Sequence, residues 1–231
     1  MEIIELTPRL HMLRFPIGQA YLWHDEEGLT LIDAGWADAA PEIEAGIRSV
    51  GLHPEDVRRI VLTHCHRDHV GAAGELAARH GSEILAHRLD APVIRGEAET
   101  PEPVLLAWER PLYEHGLTVP PAPATRVDRE LSDGDELGFG DGARVIHTPG
   151  HTEGSIAVHL PSHGVLFTGD TVASVQGAML GVFHVDREQA KASMRRLAGL
   201  APSVLCCGHG DPLMDEAALA LKEAAVRDAG A

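Results

Sequence analysis

Short apolar runs broken by turn residues recur along this chain, and their spacing predicts alternating strands and helices. Residues 21–24 and 29–33 are apolar segments separated by Asp25, Glu26, Glu27 and Gly28, a hairpin-like break. Pro41 suits the first turn of a helix over 41–50, because the amide it lacks has no intrahelical partner there. Residues 59–62 read as a buried strand, followed by an alanine-rich helix over 71–80 and a strand over 83–86. Strand patterns return at 144–147, 155–159, 165–168 and 204–207. A helix over 187–200 places Ala190, Met194, Leu197 and Ala198 on one face, and a terminal helix covers 214–229. No period of 20–50 residues runs through the chain. Strands at both ends with interleaved helices predict an α/β sandwich, read as a single domain over 1–231. Residues 89–123 break the pattern with seven prolines and short helices around 104–113. We expect an insertion there that acts as a lid or selects substrate, against the plainer reading of a solvated excursion.

Candidate chemistry sits where strands stop. The strand ending at Leu62 runs into His64, His66, Asp68 and His69 within six residues. Four such side chains cannot share one helix face, but on a strand-end loop they can surround a small volume. Three later segments repeat the arrangement of strand, glycine, then histidine or aspartate. They are Gly150-His151, Gly169-Asp170 and Gly208-His209. Glycine lets the backbone turn sharply and approach closely. Histidine and carboxylate donors without thiolate suit zinc first, with iron or manganese also compatible. Cys65 lies between two candidate ligands, and alternation on an extended loop turns it away from them, although a thiolate ligand is the alternative. Cys206 and Cys207 read as packing residues and His147 as a structural histidine. His184 follows Asp170 by 14 positions and is within reach of the same pocket.

Composition narrows the partners. The formal net charge of −16 disfavours phosphate backbones, so nucleic acid is not expected. No apolar run reaches the 18 or more residues of a membrane span, and the acidic first residues do not resemble a secretory leader. A cytoplasmic protein with a small-molecule substrate is the expectation. Three cysteines form no disulfide framework. The oligomeric state has no signature in the sequence.

Asp33, residues 63–71, His151, Asp170 and His209 occur in an order that resembles the metallo-β-lactamase fold superfamily, nearest to its glyoxalase II-like hydrolases. The resemblance implies a four-layer αβ/βα sandwich with the site between the two sheet edges. It implies that His64, His66 and His151 hold one metal ion, that Asp68, His69 and His209 hold a second, and that Asp170 bridges them. Asp33 would accept hydrogen bonds that fix the motif loop. Two divalent ions, zinc foremost, would share a bridging hydroxide that attacks a small ester, thioester or lactone. Asp68 would orient that nucleophile or pass a proton to the leaving group.

Three departures shape the substrate expectation. Glyoxalase II enzymes carry a C-terminal helical domain that grips glutathione, whereas about 22 residues follow His209 here, with Lys222 and Arg227 as their only basic side chains. Quorum-quenching lactonases of this fold place a tyrosine after the bridging aspartate, where this chain has Thr171, Val172 and Ala173. The rival reading is a mononuclear Fe(II) persulfide dioxygenase-like enzyme using His64, His151 and Asp170. That family resembles this chain in motif and length but carries arginines in the stretch that here, over 173–182, has none.

Overall fold

Seven strands between Glu2 and Leu131 hydrogen-bond in the order in which they occur: β1 (Glu2–Thr7), β2 (Leu10–Arg14), β3 (Gln19–Asp25), β4 (Gly28–Ile32), β5 (Val57–Leu62), β6 (Glu83–His87) and β7 (Arg129–Leu131). The computed structural model describes residues 1–228. Their contacts form two compact units, Met1–Thr100 with Thr118–Leu131, and Pro101–Leu117 with the chain from Ser132 onward.

In the first unit β1 to β4 pair antiparallel and β4 to β7 pair parallel. A parallel pair needs a crossover, which the predicted helices supply: α1 (Ala40–Ser49) between β4 and β5, and α3 (Ala73–His80) between β5 and β6. Ile43 and Ile47 of α1 and Leu76 of α3 join Leu22, Leu31, Ile60, Leu62 and Ile84 in one apolar core. Each such side chain contributes about 1.5–3 kcal/mol by leaving water. The helix predicted over 71–80 is α3, and a separate single turn, α2 (Arg67–Val70), precedes it. They part at Gly71, where a Cβ would strike the backbone of Trp36 and Ala37. β1 has no fully buried position, so an apolar pattern could not have marked it as a strand.

In the second unit, β8 (Glu136–Leu137), β9 (Ala143–His147), β10 (Ile156–Leu160), β11 (Val165–Phe167) and β14 (Val204–Cys206) form a sheet in the order β14-β11-β10-β9-β8. β12 (Val172–Ala173) and β13 (Met179–Leu180) pair separately. β14 runs parallel to β11, and two antiparallel steps make β9 run the same way. The C-terminal ends of β9, β11 and β14 therefore lie at one edge of this sheet. Helices α6 (Arg187–Ala198) and α7 (Ala217–Arg227) bury Met194, Leu197 and Leu221 with Leu166 and Leu205. Asp186 caps α6 by accepting from the Gln189 amide at 3.0 Å. Residue 229, the end of the predicted terminal helix, lies outside the described residues. Among the described residues no helix is long and apolar enough to cross a membrane.

Residues 89–123, expected as one insertion, divide between the two units. Their first part, with α4 (Ala91–Ile94), belongs to the first unit, and Pro101–Leu117, with α5 (Arg110–Gly116), to the second. Helix begins only at Arg110, where Pro111 suits the first turn, because the Glu109 carboxylate holds the Leu106 amide in a separate turn at 2.8 Å. Glu109 is fully buried and pairs with Arg187 at 2.5 Å, which ties this strap to the start of α6. The Val104 amide adds a 2.9 Å hydrogen bond to the His184 carbonyl, and the rings of Tyr113 and Phe183 meet edge to face. Arg187→Ala is expected to destabilise the protein by about 3–5 kcal/mol, because it leaves the Glu109 carboxylate buried without its cation. Glu109→Gln should cost less, and urea unfolding of the two variants measures the difference.

Candidate metal centre

Parallel strands bring their C-terminal ends together, and in the first unit three neighbouring ends carry the candidate loop. Asp33 leaves β4 with a left-handed φ of 63°, which aspartate tolerates better than most residues. Its Oδ1 accepts from the Thr63 amide at 2.8 Å, and its Oδ2 accepts from the Thr63 hydroxyl at 2.8 Å and from His69 Nδ1 at 2.9 Å. The Thr63 hydroxyl, having donated to Asp33, accepts from His64 Nδ1 at 3.0 Å. One buried carboxylate thus places the protons of both imidazoles on Nδ1. The Nε2 lone pairs of His64 and His69 are left to face His66 Nδ1 at 3.1 Å and the Asp68 carboxylate at 3.4 Å.

His66 is the residue preceding α2, and Asp68 and His69 lie in its single turn. At the end of β6, Asp90 accepts from the Cys65 amide at 2.9 Å and pins the loop from a third strand. Cys65 itself is buried in the apolar core, and desolvation, reinforced by Asp90, pushes its thiol pKa well up. The expectation that it turns away from the ligands agrees with that position. Gly18, with φ of 77°, lies against Asp68, whose Oδ2 a Cβ would meet at 3.3 Å.

In the second unit three loops leave the shared sheet edge and are laced to one another. The Thr171 hydroxyl donates to that of Thr148 at 3.0 Å, the Gly208 amide to the Gly169 carbonyl at 2.9 Å, and the Ser174 amide to the His209 carbonyl at 3.0 Å. These bonds bring His151, Asp170 and His209 together. His151 donates from Nδ1 to the Val182 carbonyl at 2.9 Å, so its Nε2 carries a lone pair. Asp170 Oδ2 lies 3.6 Å from that Nε2 and 3.1 Å from His209 Nε2. A carboxylate oxygen facing an imidazole lone pair is repulsive unless a cation lies between them. Asp68 and His69 repeat the conflict in the first unit, so the donors in each unit fit divalent metal.

Gly150 shows why the His151 loop needs glycine. Its φ is 131°, and a Cβ would strike the backbone nitrogen of Ala190 in α6. Gly150→Ala is expected to cost about 1–3 kcal/mol by pushing the loop off the helix, and a thermal melt measures the loss.

His184 does reach the candidate ligands of its own unit. It is fully buried, with its ring edge-on to that of His151 at 5.8 Å between centroids. Nε2 donates to the Gly181 carbonyl at 2.8 Å. Burial, with help from Arg187, lowers its pKa to about 4, so the ring is neutral at physiological pH. His147 is half-buried and its Nε2 bonds the Glu153 carbonyl at 2.9 Å, a structural role as expected. Cys206 and Cys207 are buried packing residues, and desolvation pushes the Cys207 thiol up to about 12. The hydrogen-bonding roles of Thr63, Thr148, Thr171 and Asp90 escaped the sequence reading. Only Asp90 left a signal, as another carboxylate just past a strand.

Comparison with known proteins places these residues in a family context. The sequence profile described as "Metallo-beta-lactamase superfamily" matches residues 13–209. The chain is 28% identical over 234 residues to "Probable metallo-hydrolase YflN" of Bacillus subtilis, covering 90% of this chain and 86% of that protein. It is 32% identical over 193 residues to a hydroxyacylglutathione hydrolase of Cereibacter sphaeroides, covering 82% of this chain and 61% of that one. It thus spans about three fifths of the length of that relative. Among solved structures, a metallo-beta-lactamase family protein of Thermus thermophilus superposes with a TM-score of 0.69 at 26% identity, covering 96% of this chain and 79% of that one. BJP-1, a subclass B3 metallo-beta-lactamase of Bradyrhizobium japonicum, superposes at 0.75 with 20% identity, covering 100% and 91%, and shares the fold.

Proposed function

Because this chain belongs to the metallo-β-lactamase superfamily and is a metal-dependent hydrolase, we propose that it binds two divalent cations, zinc foremost, and cleaves a small ester, thioester or lactone. The observation that carries this reading is Asp170 Oδ2 set against the Nε2 atoms of both His151 and His209. One carboxylate shared by two imidazoles is the arrangement of a bridging ligand. In this reading His64, His66 and His151 hold one ion, Asp68, His69 and His209 hold the other, and Asp170 serves both. Residues 1–231 act as one catalytic domain.

Bound there, the ions would supply Lewis acidity, lowering the pKa of a shared water and polarising the scissile carbonyl. The protein's own groups do the rest. Asp33 holds the proton on Nδ1 of His69 and, through Thr63, on Nδ1 of His64, which keeps both Nε2 atoms available as donors. The Val182 carbonyl does the same for His151. Asp68, the acid beside His69, orients the nucleophile or passes a proton to the leaving group.

Substrate class follows from two supports. The hydroxyacylglutathione hydrolase relatives point to thioesters. The strap in the second unit exposes Val104, Leu106, Trp108, Leu112 and Leu117, which favours an acyl group over a charged one. Metal quantification on protein purified without chelator, followed by an ester, thioester, lactone and phosphodiester panel, tests the proposal. Two ions per chain with chelator-sensitive ester, thioester or lactone hydrolysis is the expected result. One iron per chain with oxygen uptake on a persulfide would replace it with the dioxygenase reading.

A further inference from the structure

Away from the candidate ligands, the second unit carries a groove of about 680 Å³ between α6 and α7. Its lining is apolar: Ala198 and Ala225 line it with small side chains, and Leu219 and Val226 stand 50% and 72% exposed. A surface helix normally turns a polar face to water. α7 instead buries Ala217, Leu221, Ala224 and Ala225 and presents Leu219 and Val226 outward as well.

Two cations, Arg195 and Lys222, complete the lining. The chain has 35 acidic against 19 basic residues, and the neighbouring Arg196 and Arg227 pair with Asp133 and Asp228. Arg195 and Lys222 have no ion-pair or hydrogen-bond partner among the described residues. Two cations without an ion-pair partner among the described residues, beside an apolar trough on a strongly acidic protein, suit a ligand with an anionic end and a hydrocarbon body.

We propose that this groove binds an aliphatic carboxylate of the fatty-acid class, with its chain along Ala198, Ala225, Leu219 and Val226 and its carboxylate between Arg195 and Lys222. An inorganic anion would leave the apolar walls uncovered.

Dodecanoate, kept below its micelle concentration, is titrated into the full chain carrying 13C-labelled leucine and valine methyl groups. Saturable shifts of Leu219 and Val226 are expected, with octanoate at least about tenfold weaker because each buried methylene adds affinity. The double reversal Arg195→Glu with Lys222→Glu is expected to weaken dodecanoate about tenfold or more while hydrolase activity stays unchanged. Leu219→Ser should weaken it as well, with the melting temperature reporting that either variant is folded. Four outcomes would overturn the proposal: no saturable shift at millimolar dodecanoate, equal binding of dodecyltrimethylammonium, undiminished affinity in the charge reversal, or concentration-dependent dimerisation through this face that dodecanoate does not displace.

Discussion

Asp68→Ala is expected to lower turnover by about 10²–10⁴-fold and to reduce the bound metal by about one ion per chain. The magnitude is that of a positioned acid–base group, and the metal loss follows from removing the carboxylate that faces His69 Nε2 at 3.4 Å. His66→Ala should also lose most activity and about one ion, because it removes the imidazole beside His64 Nε2. Elemental analysis and initial rates on the same preparations measure both quantities. Either variant retaining full activity with two ions would refute the assignment. Asp68→Asn separates the two roles: an amide oxygen can still coordinate weakly, but it cannot carry the proton, so rate should fall further than metal content.

Asp33→Asn is expected to weaken metal binding by about 10–100-fold although Asp33 is not itself a proposed ligand. The wild-type carboxylate is buried and accepts three hydrogen bonds, two from Thr63 and one from His69. An amide has one acceptor oxygen and turns an NH2 toward the remaining donors. Each bond to a charged acceptor is worth about 1.5–3 kcal/mol, so the variant should melt earlier even when metal-free. Asparagine also tolerates the left-handed backbone at this position, which separates the hydrogen-bonding loss from backbone strain. Once Asp33 no longer fixes the tautomer, the His69 proton can move to Nε2 and block the donor atom. Competition against a metallochromic chelator measures the affinity, and a wild-type value would show that Asp33 does not orient the ligands.

The two variants probe different depths of legibility. His64, His66, Asp68 and His69 could be read from the chain because they lie within one short segment after an apolar strand. The helices over 41–50 and 187–200 could be read because amphipathic spacing is local. Asp33 entered only through the family resemblance, and its partners Thr63 and His69 are 30 and 36 positions away. The helix predicted over 71–80 is present, but the separate turn before it and their parting at Gly71, close against the backbone of Trp36, were not legible. The segment 89–123 looked uniform because proline content is a local property. Its division between two units depends on Glu109 meeting Arg187, 78 positions later.

By itself, the amino-acid sequence determined which side chains carry donor atoms, that they follow strands, and that the chain alternates sheet and helix. These are consequences of residue type and near-neighbour spacing. Tertiary structure alone decided which end of the second sheet gathers His151, Asp170 and His209, because that depends on β9, β11 and β14 running in one direction. It also decided which imidazole nitrogens keep their protons, that His184 packs against His151, and that α6 and α7 leave an apolar trough beside Arg195 and Lys222. Each of these depends on contacts between distant segments, which hydrophobic periodicity does not encode.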